Sequence, residues 1–270
     1  MIEKAYAKIN LILDIQGKRK DGYHELKSLM IPIEFHDDLK FEPSDSIELE
    51  SNVYIEHNAI IKVAEIIQTK YQIKQGVKIT LNKRIPIGAG LAGGSANISA
   101  TIRGLNRFWD IKMSLNEQED LANSLGSDTL FCLHNKRGIL TGRGDHIEFL
   151  NVEKPIDAIT LVCPNISILT KDVFSHYNHS GVHDFQRSVE TYLTKGDENV
   201  LYNDLLIPAF KTSPKLQEIY DQIQVLGLKP HLSGSGSTLF LFNLSEDEIE
   251  RLKTIKDIVI IHTQEHQELL

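Results

Sequence analysis

Pro86, Ile87, Gly88, Ala89, Gly90, Leu91, Ala92, Gly93, Gly94, Ser95 and Ala96 form a segment with four glycines that runs straight into an amphipathic helical pattern. Few folds tolerate such a stretch unless the backbone itself has work to do. With so few side chains in the way, N–H groups approach an anion closely, and the unpaired N–H groups of the following helix's first turn point at it. The spacing therefore predicts a phosphate cradle, preceded by a strand at Val77 to Leu81 and followed by a helix carrying Ile98, Ile102, Leu105 and Trp109.

Two better-known glycine motifs are excluded by what surrounds the segment. Gly88, Gly90 and Gly93 satisfy G-x-G-x-x-G, but the dinucleotide fingerprint needs a parallel strand ending in an acid soon after the helix, and here Ile111 leads into a second helix. The phosphate-binding P-loop needs a lysine after its last glycine; Ser95 stands there instead. Ser95 is suited to cap the helix or to touch a phosphate or its Mg²⁺. A turn made only of convenient glycines is the plainer alternative.

The rest of the chain mixes strands and helices without strict alternation. Ile9, Leu11, Leu13 and Ile15 open a strand that places Lys8 and Asn10 on one face, and Leu26 to Glu34, Asp38 to Phe41 and Ile47 to Leu49 continue a strand-rich beginning. Helical spacing recurs over Asn58 to Tyr71, and Ser114 with Glu117 has the pattern of a capping box. Strands are predicted at Gly138 to Thr141, Ile147 to Leu150, Ile159 to Cys163, Pro230 to Leu232, Thr238 to Phe242 and Ile258 to His262. Helices are predicted near Phe185 to Leu193, Leu216 to Leu226 and Glu246 to Leu252, with a polar loop from Ser175 to Asp184. This predicts an α+β fold with mixed or antiparallel sheets, and two domains, 1–152 and 153–270.

Composition narrows the partners. The 29 Lys plus Arg against 37 Asp plus Glu give a formal net charge of -8, which disfavours nucleic acid and anionic membrane, so a phosphate ligand needs a local site. Cys132 and Cys163 sit in apolar runs and provide no disulfide framework, and no apolar run reaches the roughly 18 residues of a membrane span. The expectation is a cytoplasmic protein with a small-molecule ligand; the sequence leaves its oligomeric state open.

A phosphoryl-transfer site without a loop lysine needs a base and a cation from elsewhere, and Asp128 and Lys8 are the candidates. On spacing alone, Lys8 as a solvated strand residue and Asp128 as a helix cap is the simpler reading. Gly234-Ser235-Gly236 is a second tight loop, and Tyr23 and Phe174 are aromatics suited to stacking. His176, His179 and His183 cluster in a loop without accompanying Cys or carboxylate geometry, and His262-x-x-Glu265-His266 formally fits an inverted zinc-protease pattern at the end of the chain; no metal site is predicted from either.

Six segments carry a resemblance to a known family: Ala7-Lys8-Ile9-Asn10-Leu11, Asp21-Gly22-Tyr23-His24-Glu25, Pro86 to Ala96, Thr141-Gly142-Arg143-Gly144, Asn203-Asp204-Leu205 and Leu232-Ser233-Gly234-Ser235-Gly236. The glycine segment resembles the GHMP kinases, and the Asp-Gly-Tyr-His element resembles the 4-diphosphocytidyl-2-C-methyl-D-erythritol kinase family within them. The resemblance implies a two-domain GHMP fold with a cleft between the domains, ATP with Mg²⁺, and phosphorylation of the substrate's 2-hydroxyl in isoprenoid-precursor synthesis. It implies Asp128 as general base and Lys8 as its charged partner. Asn10 and Thr170 would contact substrate, Tyr23 and Phe174 would sandwich cytosine, and His24 would read its polar edge. Pro86 to Ala96 would wrap the ATP phosphates, with Asn58 near adenine. The chain departs from the family pattern at Thr129 and Leu130, where a hydrophobic residue and proline are usual, and at Ala92 and Ala96 within the loop. A GHMP-type kinase of another small alcohol and a non-catalytic nucleotide-binding relative are the alternatives.

Overall fold

A computed structural model describes residues 1–151, 154–178 and 183–267. The expected boundary between residues 152 and 153 lies outside the described residues. Two compact units are present, the first made of Met1–Ala7, Phe35–Pro86 and Ala92–Asn135, the second of Lys8–Glu34, Ile87–Leu91 and Lys136–Leu270. The two opening strands, β1 (Ile2–Lys18) and β2 (His24–Ser44), each contribute residues to both units.

In the first unit, β3 (Ile47–Ser51) pairs in parallel with β4 (Gly76–Asn82), which pairs antiparallel with the Asp38–Ser44 end of β2. Between β3 and β4 lies α1 (Ala59–Lys70), whose Ile60, Val63, Ala64 and Ile67 are buried, the stripe expected from its spacing. It packs on α2 (Gly93–Phe108), which also meets α3 (Leu115–Leu125) and α4 (Thr129–His134). Gly104, mid-helix in α2, lets the helix approach the sheet: a Cβ there would lie 2.4 Å from the Phe41 ring. The capping box of Ser114 and Glu117 forms in both directions.

The strand pieces expected at Leu26 to Glu34 and Asp38 to Phe41 are one continuous strand, β2. The acidic, histidine-bearing join does not break it, because Asp37 finds donors for its buried carboxylate.

In the second unit, the Leu26–Met30 part of β2 pairs antiparallel with β5 (Gly138–Gly142), and β5 with β6 (His146–Phe149). A separate sheet runs β10 (Ile258–Thr263), β7 (Ile159–Pro164), β9 (Leu239–Phe242), β8 (His231–Leu232), all antiparallel. β7 is central and buried throughout, and its side chains are apolar apart from Thr160. Its core includes Val162, Val173, Leu216, Ile219, Leu239 and Leu241. The unit also holds α5 (Thr170–Ser175), α6 (Phe185–Lys195), α7 (Leu206–Thr212), α8 (Pro214–Val225) and α9 (Glu246–Leu252), of which α5, α7, α8 and α9 contribute side chains to that core. Both cysteines are buried, and neither is in a disulfide among the described residues.

Candidate functional site

The glycine segment divides between the units. Ala92–Ala96 belongs to the first, and there Ala92 is left-handed at φ 55°, a costly conformation for a residue with a side chain. It precedes α2 without any side-chain cap, and the first intrahelical bond runs from the Ala96 N–H to the Ala92 carbonyl at 2.9 Å. The N–H groups of Gly93, Gly94 and Ser95 thus precede the helical ladder, and α2 has no acidic residue in its first turn to answer its dipole. A Cβ on Gly94 would meet nothing within 4 Å. Such a helix start suits an anion.

Ile87–Leu91 belongs to the second unit, where it is fixed by backbone bonds on both sides. Ile168 N–H donates to the Gly88 carbonyl at 3.2 Å, Thr238 N–H to Ala89 at 3.1 Å, and Lys8 N–H to Leu91 at 3.2 Å. Gly90, at φ 76°, must be glycine, because a Cβ would lie 2.1 Å from the Ser233 carbonyl oxygen. The Ser233 hydroxyl donates to the Gly90 carbonyl at 3.0 Å. The loop at Ser233 to Ser235 is therefore packed against the first half of the glycine segment, and Asn203 holds it by donating to the Leu232 and Gly234 carbonyls, both at 2.8 Å. Ser235 Oγ lies 2.9 Å from Thr170 Oγ1.

Lys8 and Asn10 share a face of β1, as their alternation requires. Lys8 Nζ donates to Asn10 Oδ1 at 2.6 Å, and Asn10 Nδ2 donates to Ser28 Oγ at 2.8 Å. Lys8 is only 4% exposed, so it is a buried ammonium held in a polar chain rather than a solvated strand residue. Both side chains border Gly234, where a Cβ would come within 3.2 Å of Lys8 Nζ.

His24 stacks on Phe174 with ring centroids 4.9 Å apart and meets Tyr177 edge-on at 5.8 Å. Burial and the nearby Lys18 hold the His24 imidazole below its ordinary pKa. The exposed Tyr23 ring lies under the Arg143 guanidinium, 5.0 Å from its centroid. Burial, with the charges of Asp204 and Asp14, pushes the Tyr177 phenol up to about 12.

Asp128 occupies the N-cap position of α4 in the first unit, but its side chain makes no capping hydrogen bond. Thr129 follows it fully buried, its hydroxyl without a hydrogen-bond partner among the described residues. The space above Gly126 brings Thr129 Oγ1 within 2.8 Å and Ser95 Oγ within 3.8 Å of one point. The Ser99 hydroxyl donates to the Thr129 carbonyl at 2.7 Å, tying α4 to α2. Asn58 caps α1, its Oδ1 accepting from Ile60 N–H at 3.1 Å.

The other singled-out residues have structural partners. His262 Nδ1 contacts Thr160, Glu265 pairs with Arg137, and His266 pairs with Glu34 at 2.6 Å, so the terminal zinc-like pattern is spent on ordinary packing. His176 is bonded through Nδ1 to the Asp172 carbonyl and His183 stacks on Tyr202; His179 lies outside the described residues. No group of three or more His, Cys, Asp or Glu disposed to hold a metal occurs among the described residues. No helix of the described residues is long and apolar enough to cross a membrane.

Sequence reasoning passed over Asp37 and Lys83. Asp37 is fully buried and accepts from Lys83 Nζ at 2.6 Å, from Asn97 Nδ2 at 2.8 Å, and from the N–H groups of Arg84 and Ile85 at 2.6 and 2.8 Å. The signal was available: Asp37 sits on the strand face of Phe35, Leu39 and Phe41, where an acid is out of place.

Residues 58–136 match the family described as GHMP kinases N terminal domain. A 4-diphosphocytidyl-2-C-methyl-D-erythritol kinase of Thermoanaerobacter sp. (strain X514) is 37% identical over 268 residues, which cover 94% of this chain and 92% of the relative. Among solved structures, a 4-(cytidine 5'-diphospho)-2C-methyl-D-erythritol kinase superposes with a TM-score of 0.83 at 29% identity, covering 99% of this chain and all 100% of that one. The Methanococcus jannaschii mevalonate kinase superposes with a TM-score of 0.73 at 16% identity, covering 99% and 98%, a likeness of fold alone.

Proposed function

We propose that this chain, which belongs to the 4-diphosphocytidyl-2-C-methyl-D-erythritol kinase family of the GHMP kinases, transfers the γ-phosphoryl group of ATP to the 2-hydroxyl of 4-diphosphocytidyl-2-C-methyl-D-erythritol. It is an ATP-dependent kinase of isoprenoid-precursor synthesis. The observation that carries the nucleotide half of this reading is the start of α2, where Gly93, Gly94 and Ser95 present N–H groups ahead of the ladder and the helix has no acidic residue in its first turn.

The roles follow from the chemistry of each side chain. Asp128 accepts the proton of the attacking hydroxyl as the oxygen bonds to the γ-phosphorus and the bond to ADP breaks. Lys8, already desolvated and oriented by Asn10, offsets the negative charge gathering on the transferred group. Asn10 and Thr170 contact the substrate. Tyr23 and Phe174 are assigned as stacking faces for cytosine, and His24, neutral at ordinary pH, as the reader of its polar edge.

Pro86 to Ala96 wraps the triphosphate, and Asn58 is assigned to the adenine side. Mg²⁺ is assigned to the nucleotide itself, where the Ser95 hydroxyl would be the ligand this chain adds and the ion would offset phosphate charge. The proposed setting is the cytoplasm.

The deciding experiment is turnover by the purified protein. With ATP, Mg²⁺ and the cytidyl substrate, ADP is released stoichiometrically with the 2-phosphate. Asp128→Asn lowers kcat by about 10²–10⁴-fold while ATP still binds in calorimetry. Phosphorylation of another alcohol in preference to the cytidyl compound moves the substrate assignment, and ATP binding with no turnover of any alcohol removes the catalytic one.

A further inference from the structure

We infer that Asp37 is a positioning residue for the phosphate loop, one carboxylate that fixes both the entry and the exit of the glycine segment. The inference rests on the reading of Pro86 to Ala96 as the ATP-phosphate loop. On the entry side, Asp37 Oδ1 accepts from the N–H groups of Arg84 at 2.6 Å and Ile85 at 2.8 Å, the residues immediately before Pro86. On the exit side, Oδ2 accepts from Asn97 Nδ2 at 2.8 Å, one residue beyond Ala96 in α2. Lys83 Nζ, 2.6 Å from the same oxygen, supplies the countercharge.

The clamp is rigid for reasons visible around it. Asp37 is 0% exposed and Asn97 4%, so neither bond exchanges with water. Lys83 is pinned through its backbone as well, since Asn52 Oδ1 accepts from its N–H at 2.7 Å and Asn52 Nδ2 donates to its carbonyl at 3.1 Å. Lys83 and Ile85 then lie directly beneath the first residue of α2: a Cβ on Gly93 would fall 2.8 Å from Lys83 Nζ and 2.9 Å from Ile85 Cγ2. Gly93 is glycine because the clamped strand end occupies that space.

A loop whose two ends are held at one point has lost most of its freedom before ligand arrives. Its N–H groups need no further ordering to meet the phosphates, so the cost of organising the site is borne in folding and not in binding. The expected signature is a weakened hold on nucleotide when the clamp is cut, with the acceptor's own affinity left alone.

Asp37→Asn together with Lys83→Met cuts the clamp without leaving a lone buried charge. In that variant we expect the calorimetric Kd and the KM for ATP to rise about tenfold or more, with the KM for the acceptor alcohol within about twofold of the parent. Asn97→Ala, which releases only the exit and keeps the ion pair, gives a smaller rise in the same two quantities. A purely structural role lowers the unfolding temperature and leaves the ATP Kd of the folded fraction within about twofold, and that result overturns the inference. If the double variant does not fold, Asn97→Ala decides by the same criterion. Failure of the unaltered protein to bind ATP overturns the loop reading itself, whereas normal ATP binding by both protein and variants overturns only the clamp.

Discussion

Two buried carboxylates, Asp37 in the first unit and Glu265 in the second, have almost the same surroundings and hold different things. Each accepts from one basic side chain, Lys83 or Arg137, and from backbone N–H, and each is nearly or wholly shielded from solvent. Glu265 takes both Nε and Nη2 of Arg137, and it exchanges bonds with Ile156, its Oε2 accepting from the Ile156 N–H and its own N–H donating to the Ile156 carbonyl. Its partners lie 109 and 128 residues away, so it gathers the end of the chain onto the unit. Asp37 reaches residues on either side of one loop. The lesson is that the acid–base pair supplies the anchor, while the backbone bonded to the remaining lone pairs decides whether the anchor serves the fold or the ligand.

The largest test of this contrast is Glu265→Ala. Stranding Arg137 in the interior is expected to cost about 3–5 kcal/mol in urea unfolding, with ATP affinity of the folded protein unchanged. An ATP Kd that weakens as far as in the Asp37 variants would erase the distinction.

Acid sensitivity sharpens the comparison next. His231 in β8 lies against Phe240 and Phe242, its Nε2 has no hydrogen-bond partner among the described residues, and burial pulls its pKa from 6.5 down to about 4. Above pH 6.5 the imidazole is neutral in folded and unfolded chains alike. As the pH falls from there toward 4, only the unfolded chain takes up the proton, so stability drains away over that window, by up to about 3 kcal/mol. His231→Phe is expected to flatten this part of the stability curve in urea titrations. An unchanged slope would remove His231 as the source of the lability.

The smallest effect is expected from Gly104→Ala, a control inside the first unit. The new methyl meets the Phe41 ring and costs about 1–3 kcal/mol by thermal unfolding, away from the loop ends. If this loss of stability alone weakens ATP binding, the effect of cutting the clamp is not specific to Asp37.

Much of this was legible in the residues because local rules governed it. The capping box of Ser114 and Glu117, the α1 stripe and the shared face of Lys8 and Asn10 all follow from spacing. What escaped depended on distant partners. A strand through His36, Asp37 and Asp38 looks broken until Lys83, Asn97 and two backbone N–H groups are brought to the acid. The six-residue α5 and seven-residue α7 are too short to display a period, and the interleaving of the two units along the chain leaves no compositional mark. The family resemblance supplied the roles of Lys8 and Asp128, which spacing alone did not.

Ala92 has one more consequence. Its left-handed backbone runs against its own preference by about 1–2 kcal/mol, so the segment does not encode its shape by itself. That shape is imposed from outside, by the clamp at its ends and the bonds to Gly88, Ala89 and Leu91. A peptide of residues 86–96, or the same stretch transplanted into a foreign scaffold, would relax to another conformation: the motif travels in sequence, but not as a portable part.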